Sequence, residues 1–441
     1  MPAADPRRDP PSTRSGEPHS PAAAGAAAVA GAGGRPSLAE IARQWGRIGC
    51  VGFGGPPAHL ALLRELCVER HAWLTDEQFG RGMAATNLLP GPASTQLAIY
   101  CAWRLRGWKG AILGGLCFVL PGLVMILALS VLFLSGSPPS WVRGAGMGAG
   151  AAVAAVAVRA GLDLGAPIYR RAALQRRPRA LGPTLAYALI GGVGAALAGP
   201  ELLAVLLACG AIELGRQALA GGLAAVGLWG PGVWRGRPPG VLAAAGRVLL
   251  PSPLLSAAAD PGGAGALAWT ALKVGGLAFG GGFVIVPLLQ SDAVGTYHWM
   301  THGQFLNAVA LGQVTPGPVL HTIAAVGYSA GGLAGGLLAA AVAFAPSFAF
   351  VLLGAGSFER LLTNERVRAF LAGAVPASIG AIFGAAVPLA AALGESWQYV
   401  VLAAAALALF VLRLGVVATL ILAGGAGVAA ALLGAPPRRT L

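Results

Sequence analysis

Four stretches without a single Asp, Glu, Lys or Arg decide what this chain can become: Ala111–Leu134, Leu333–Ser357, Leu371–Leu393 and Leu414–Leu433. As helices, runs of about 20 apolar residues cross the roughly 30 Å hydrocarbon core of a bilayer. A soluble protein hydrates its surface with roughly 25% charged residues. This chain has 10% charged and 56% hydrophobic residues, too little charge to cover a globule of 441 residues. Its 68 glycines fit the same conclusion, because membrane helices tolerate Gly better than soluble ones do. The fold class expected is an all-α, polytopic integral membrane protein. Shorter apolar runs add to the count: Leu181–Ala198, Leu202–Ile212 and Tyr399–Leu412. Gly144–Val158 continues into Arg159 and Asp163, an i,i+4 pair that shields both charges near the membrane surface. The spacings Gly144/Gly148 and Gly146/Gly150 suit close helix packing in lipid.

The net charge of +14 raises nucleic-acid binding as a function. The basic residues instead sit in short gaps between apolar runs, without aromatic interleaving, as cytoplasmic loops of membrane proteins require. Nucleic acid is excluded as a partner. Cys50, Cys67, Cys101, Cys117 and Cys209 form no CxxC pair, so neither a disulfide framework nor a metal site is expected, and no cofactor.

The segments 44–103 and 269–328 are apolar but interrupted, and they match one another. At a shift of 226 (279 − 53), Phe53-Gly54-Gly55 falls on Phe279-Gly280-Gly281, Trp73 on Trp299, Gln78-Phe79 on Gln304-Phe305, and Pro90-Gly91-Pro92 on Pro316-Gly317-Pro318. One residue later in register, Gly107 falls on Gly332 and Pro121 on Pro346. The chain is a tandem duplication. Its expected units are a disordered Pro/Ala/Gly-rich tail (1–36), a first repeat (37–220), a Gly/Pro/Arg linker (221–264), a second repeat (265–434) and a short basic tail (435–441).

Loop charge gives the relative orientation of the repeats. Arg104, Arg106 and Lys109 follow the first Pro-Gly-Pro region, whereas Ser329–Gly332 is uncharged. One loop later only Arg143 answers Arg360, Arg366 and Arg368. Arg170, Arg171, Arg176, Arg177 and Arg179 then face a counterpart near Glu395 without a basic residue. Opposite phase means, by the positive-inside rule, inverted insertion. About 10–13 membrane segments are expected, in two inverted halves with broken or re-entrant helices. Broken segments at corresponding places in inverted repeats mark the substrate site of a transporter; a channel shares the symmetry.

Pro90 and Pro92 break a helix and position a new one, whose opening amides at Ala93, Ser94, Thr95 and Gln96 would favour an anion. The second copy has Pro316, Gly317 and Pro318, followed by Val319, Leu320, His321 and Thr322. Gly54, Gly55, Gly280 and Gly281 unwind a second point in each half. Arg47 and Lys273 stand at equivalent positions inside the apolar approach to those breaks, and cations at membrane depth are functional candidates. Gln313 and Thr315 add polar groups. Glu65, Asp292, His59 and His321 are candidates for proton coupling, and Trp73 and Trp299 for interface anchors. An intramembrane enzyme built on Ser94 and His321 has no supporting motif, so no catalytic residue is expected.

Together these segments resemble the chromate ion transporter family. The first copy reads Gly52-Phe53-Gly54-Gly55-Pro56-Pro57-Ala58-His59, then Trp73-Leu74, then Leu88-Leu89-Pro90-Gly91-Pro92-Ala93-Ser94-Thr95-Gln96 and Tyr100. The second reads Phe279-Gly280-Gly281-Gly282, Pro287-Leu288-Leu289, Trp299, Gly312-Gln313-Val314-Thr315-Pro316-Gly317-Pro318 and Gly327-Tyr328. The likeness runs from about residue 38 to 434. Family members commonly carry Glu after the second Leu-Leu pair, where this chain has Ser291-Asp292. The resemblance implies a secondary transporter that exports chromate across the bacterial inner membrane and confers chromate resistance. Sulfate, also a tetrahedral dianion, is the alternative substrate or a competitor. The other partners expected are the lipid bilayer and a second copy in a homodimer.

Overall fold

A computed structural model describes residues 35–136, 138–174, 178–197, 201–220, 262–277, 282–355, 358 and 363–434. The tail expected at 1–36 and the linker at 221–264 lie almost wholly outside the described residues, as do Gly280, Gly281, Arg360 and the tail at 435–441. The described residues form α-helices with short 3₁₀ and π turns, and no strand among them.

The first repeat contains α1 (Leu38–Val51), α2 (Pro56–Arg64) running into a π-helical turn (Glu65–Arg70), α3 (Asp76–Thr86), α4 (Ala93–Phe133), α5 (Ser140–Leu174), α6 (Pro178–Leu197) and α7 (Leu202–Ala220). The second contains α8 (Ala264–Leu277), a 3₁₀ turn (Gly282–Val284) leading to α9 (Ile285–Gln290) and a π-helical turn (Ser291–Thr296), then α10 (His302–Val314). A 3₁₀ turn (Val319–His321) opens α11 (Thr322–Gly354), followed by α12 (Glu365–Ala391), α13 (Ser396–Phe410) and α14 (Val416–Leu432). The duplication is therefore structural in detail. The π turns share the 226-residue shift end to end, and Thr75/Gln78 and Thr301/Gln304 close identical capping boxes on α3 and α10.

Neither α4 nor α11 is a straight rod. Arg106 and Gly107 (φ −138° and 60°) interrupt α4, and Gly331 and Gly332 (φ −156° and 63°) interrupt α11. Each chain reverses there. A Cβ on Gly114 would sit 2.6 Å from the Ala102 methyl, although 12 helical residues would separate those positions by about 18 Å. Gly336 approaches the Ala324 carbonyl in the same way. The second arm of each thus packs back along its first arm, which lies beside α3 in one repeat and beside α10 in the other. In the α1–α2 hairpin, Gln44, Arg47 and Val51 line a small groove with Leu62, Leu66 and Arg70. The 14 residues of α1 extend only about 21 Å, too short to cross a bilayer.

Among the described residues, five helices are long and apolar enough to cross a membrane (Ala93–Phe133, Ser140–Ala166, Leu202–Leu219, Val319–Gly354 and Glu365–Ala391). Shorter apolar helices lie at Gly182–Leu197, Ser396–Phe410 and Val416–Leu432.

Equivalent helices run antiparallel. Gly115 of α4 packs on Phe348 of α11, while Gly336 of α11 packs on Leu127 of α4. That antiparallel crossing of matched elements is an inverted repeat. Small residues permit it, since no hydrophobic effect drives helices together inside lipid. Gly49 meets the Phe118 carbonyl, and its counterpart Gly275 meets that of Ala343. The two glycine spacings read from the sequence serve two faces of α5. Gly144 and Gly148 lie against Gly427 and Ala423 of α14, whereas Gly146 and Gly150 lie against Asn307 and Leu306 of α10.

Candidate functional site

The two Pro-Gly-Pro turns meet the opposite repeat crosswise, the second turn at the first glycine break and the first turn at α8. The Gly317 amide donates to the Gly52 carbonyl at 2.9 Å, tying the second Pro-Gly-Pro turn to the first glycine break. The same carbonyl accepts from His59 Nε2 at 2.8 Å, which leaves His59 Nδ1 to accept from the Ser94 hydroxyl at 3.3 Å. On the opposite side, a Cβ on Gly91 would fall 3.2 Å from the Gly275 carbonyl and 3.4 Å from Ser347 Oγ. Gly91 and Gly317 have φ of 112° and 97°, a conformation in which a side chain is strained. Glycine is required at both turns.

Each turn is also faced by the residue after the mid-helix proline of the other repeat. Gly122 abuts the Pro316 carbonyl and the His321 ring, and Ser347 stands beside Gly91. Five of the nine buried side-chain polar atoms without a partner among the described residues surround these turns: Thr95 Oγ1, Gln96 Oε1, Gln313 Nε2, His321 Nδ1 and Ser347 Oγ. Native interiors seldom leave such atoms unpaired, so the cluster marks polar capacity held in reserve. Gln96 Nε2 is engaged, donating to the Pro90 carbonyl at 2.6 Å, and His321 Nε2 donates to the Val119 carbonyl at 3.1 Å.

Two details differ from the sequence expectation. Of the four amides expected free at the start of α4, those of Thr95 and Gln96 bond to the Pro92 carbonyl at 3.0 and 3.1 Å, because the first helical turn closes tightly on the proline. Only Ala93 and Ser94 keep theirs unused among the described residues. The hydroxyl of Ser94 pairs with His59, and not with His321 as the enzyme alternative required. Both Ser94 and His59 are fully buried, so their contact ties the first break to the first Pro-Gly-Pro turn.

A cavity of about 70 Å³ opens beside the Gly52–Gly317 junction. One water needs only about 10–15 Å³ of such space. Gly54, Gly55, Pro56 and Pro57 form one wall; Gly312, Gln313, Thr315 and Gly317 form another; Arg159 and Asp163 of α5 close it. The φ values of Gly54 and Gly55, 101° and 74°, explain the glycines in this wall. Pro90, Pro92, Pro316 and Pro318 shape the turns without lining the cavity.

The other candidates lie apart from the cavity. Arg47 is exposed in the α1–α2 groove with Glu65 and Arg70. Lys273 instead makes a 2.6 Å ion pair with Asp292, whose Oδ2 also accepts from Thr270 at 2.7 Å. Glu65 is exposed, while Asp292 is 5% exposed. Trp73 is buried and stacks on His71, so it is a packing residue rather than an exposed anchor. Trp299 is half-buried and donates to the Gly262 carbonyl at 2.8 Å. Sequence reasoning missed Arg159 and Ser347 as parts of the centre. The interruption of an apolar run by Arg159, and the equivalence of Ser347 with Gly122, were the available signals.

Inverted repeats with broken helices crossing at the centre are the architecture of a secondary transporter. The chain belongs to the chromate transporter family, whose model matches residues 39–215 and 265–429. It is similar to the chromate transport protein of Cupriavidus metallidurans, at 32% identity over 362 residues, covering 80% of this chain and 83% of that protein. The chromate transport protein of Pseudomonas aeruginosa is 32% identical over 370 residues, covering 81% and 82%. A probable chromate transport protein of Synechococcus elongatus is 27% identical over 354 residues, covering 80% and 84%. No solved structure matches the chain.

Proposed function

We propose that this protein exports chromate across the bacterial inner membrane and thereby confers chromate resistance. The observation that carries the proposal is the set of unpartnered buried donors around two cross-paired Pro-Gly-Pro turns, Thr95 Oγ1, Gln313 Nε2 and Ser347 Oγ, in a chain whose named relatives are chromate transport proteins. The anion site in this proposal comprises the two turns (Pro90, Gly91, Pro92; Pro316, Gly317, Pro318), the glycine breaks, and Ser94, Thr95, Gln96, Gln313 and Thr315. The units 37–220 and 265–434 act as its two inverted halves. Transport changes no bond, so no catalytic group is assigned.

Arg47 attracts the anion from the α1–α2 groove. Lys273 is the matching cation of the second repeat, and Glu65, Asp292, His59 and His321 are the candidate proton-coupling groups. A dianion leaving a negative-inside cell gains about 2 × 2.3 kcal/mol per 100 mV, so the membrane potential alone favours efflux. Sulfate is the rival substrate, having the same shape and charge.

Labelled-chromate flux in proteoliposomes, with sulfate competing, tests this reading against an Arg47→Ala/Lys273→Ala double variant. Unchanged flux in the folded variant sinks the cation role. If the wild type moves no tetrahedral oxyanion, the transport proposal falls. Orientation is tested by cysteine labelling: positions 170–179 react from the cytoplasmic side and position 395 from the periplasmic side.

A further inference from the structure

We infer that Arg159 is the cationic group that receives the oxyanion, and that Asp163 is its resident counter-ion, displaced when the oxyanion binds. The inference rests on the anion-transport reading and specifies a residue of that same site. Arg159 is the one Lys or Arg among the residues lining the central cavity, and Asp163 its one acid. The Arg159 Nε donates to both Asp163 carboxylate oxygens at 3.0 Å, and Nη1 donates to the Leu409 carbonyl at 3.2 Å. Nη2 carries no hydrogen bond among the described residues, so the guanidinium is anchored but not saturated. A planar fork of this kind matches a tetrahedral oxyanion, offering two parallel N–H groups to two of its oxygens.

The pair is built to exchange. It spans one helical turn of α5, and its side chains are 36% and 47% exposed, so the carboxylate can swing away without moving backbone. Ion pairs of this exposure are weak, and a dianion outcompetes a monoanion for the same cation. The cavity lining also includes Gly54 and Gly55, which present only backbone to it. A Cβ on Gly55 would meet nothing within 4 Å, so the space beside this glycine is open. The Gln313 amide Nε2, unpartnered and buried, is the second donor in that lining.

Asymmetry between the repeats points the same way. At the 225-residue register, Arg159 corresponds to Gly384 (159 + 225), which packs directly on the Gly192 carbonyl. The second repeat has neither cation nor space there. At this cavity the cation comes from the first repeat alone, and α5 carries on from it toward Arg170 and Arg171, the end assigned above to the cytoplasm.

The test uses the full-length protein, purified and reconstituted, with two readouts: initial chromate flux against concentration, and chromate-dependent shift of melting temperature in detergent. Asp163→Asn is expected to lower the apparent KM about 3-fold or more and to enlarge the melting shift, because Arg159 loses its rival ligand. Arg159→Gln is expected to raise KM at least about 10-fold and to abolish the shift. Arg159→Lys, which keeps charge and loses the fork, falls between and guards against misfolding. A KM for Asp163→Asn that is unchanged or raised overturns the inference, as does a wild-type KM in Arg159→Gln. If the wild type neither binds nor moves chromate or sulfate, the transport reading fails as well, and the two failures are thereby told apart.

Discussion

Gly122 and Ser347 occupy the same place in the two repeats, one step past the proline inside a long helix, yet they meet the opposing turn differently. Gly122 lets the Pro316 carbonyl and the His321 ring come within van der Waals distance of its backbone; Ser347 presents a hydroxyl to Gly91. The backbone of the duplication is copied almost residue for residue, whereas the chemistry at the crossing is not. Symmetry therefore governs the scaffold, and asymmetry supplies function. Lys273 and Arg47 repeat the lesson: one is paired with a buried carboxylate, the other lies in an open groove.

The sharpest way to break this comparison is at the crossing itself. Gly122→Ser puts a Cβ into the Pro316 carbonyl and the buried His321 ring, so chromate flux should fall at least about 100-fold, while Ser347→Gly should keep most of it. Equal effects from the two exchanges would remove the claimed difference between the turns. Next comes the cation pair. Lys273→Ala strands Asp292, and breaking a buried pair costs about 3–5 kcal/mol, an upper range here because Lys273 is 21% exposed. Arg47→Ala should cost under about 0.5 kcal/mol. Melting temperatures measure both, and Asp292→Asn should restore part of the loss in Lys273→Ala.

Smaller effects come from the turn glycines. Each of Gly91→Ala and Gly317→Ala brings left-handed strain of about 1–2 kcal/mol. A Cβ at 91 meets the flexible end of Gln96, at 2.6 Å, whereas one at 317 meets the packed His321 ring, at 2.9 Å, so Gly317→Ala should be the worse. The reverse order in thermal stability would show that Gln96 is the more rigid neighbour. Where the repeats do match, effects should match too. Thr75→Ala and Thr301→Ala each remove one capping box, and both should cost about 1 kcal/mol. A difference above about 0.5 kcal/mol, resolved by denaturant titration, would show the repeats diverging even in their caps.

Much of this was legible in the chain. The 226-residue register located the first glycine break and both Pro-Gly-Pro turns, because proline and glycine constrain backbone wherever they stand. Loop charge foretold the antiparallel crossing seen between Gly115/Phe348 and Leu127/Gly336. What the sequence withheld was contact between distant elements. Nothing in the register says that Gly52 bonds to Gly317 rather than to a residue of its own repeat, or that Arg159, outside every motif, borders the cavity. Lys273 and Asp292 were each noticed, but their pairing depends on α8 and the following π turn lying face to face. Trp73 misled for a related reason, since a tryptophan near a membrane boundary and one folded under a hairpin have the same local pattern.

The 3₁₀ turn at Val319–His321 has a consequence for how the duplication has aged. From the last proline of the turn to the reversal, the first repeat advances 14 positions (106 − 92) and the second 13 (331 − 318). A residue lost from an α-helical arm would withdraw the tip by about 1.5 Å. Three residues wound as 3₁₀ rise about 2.0 Å each rather than 1.5 Å, which recovers about 1.5 Å. By this arithmetic the 3₁₀ turn offsets the missing residue, so the two arms differ by one residue in count and by almost nothing in expected length.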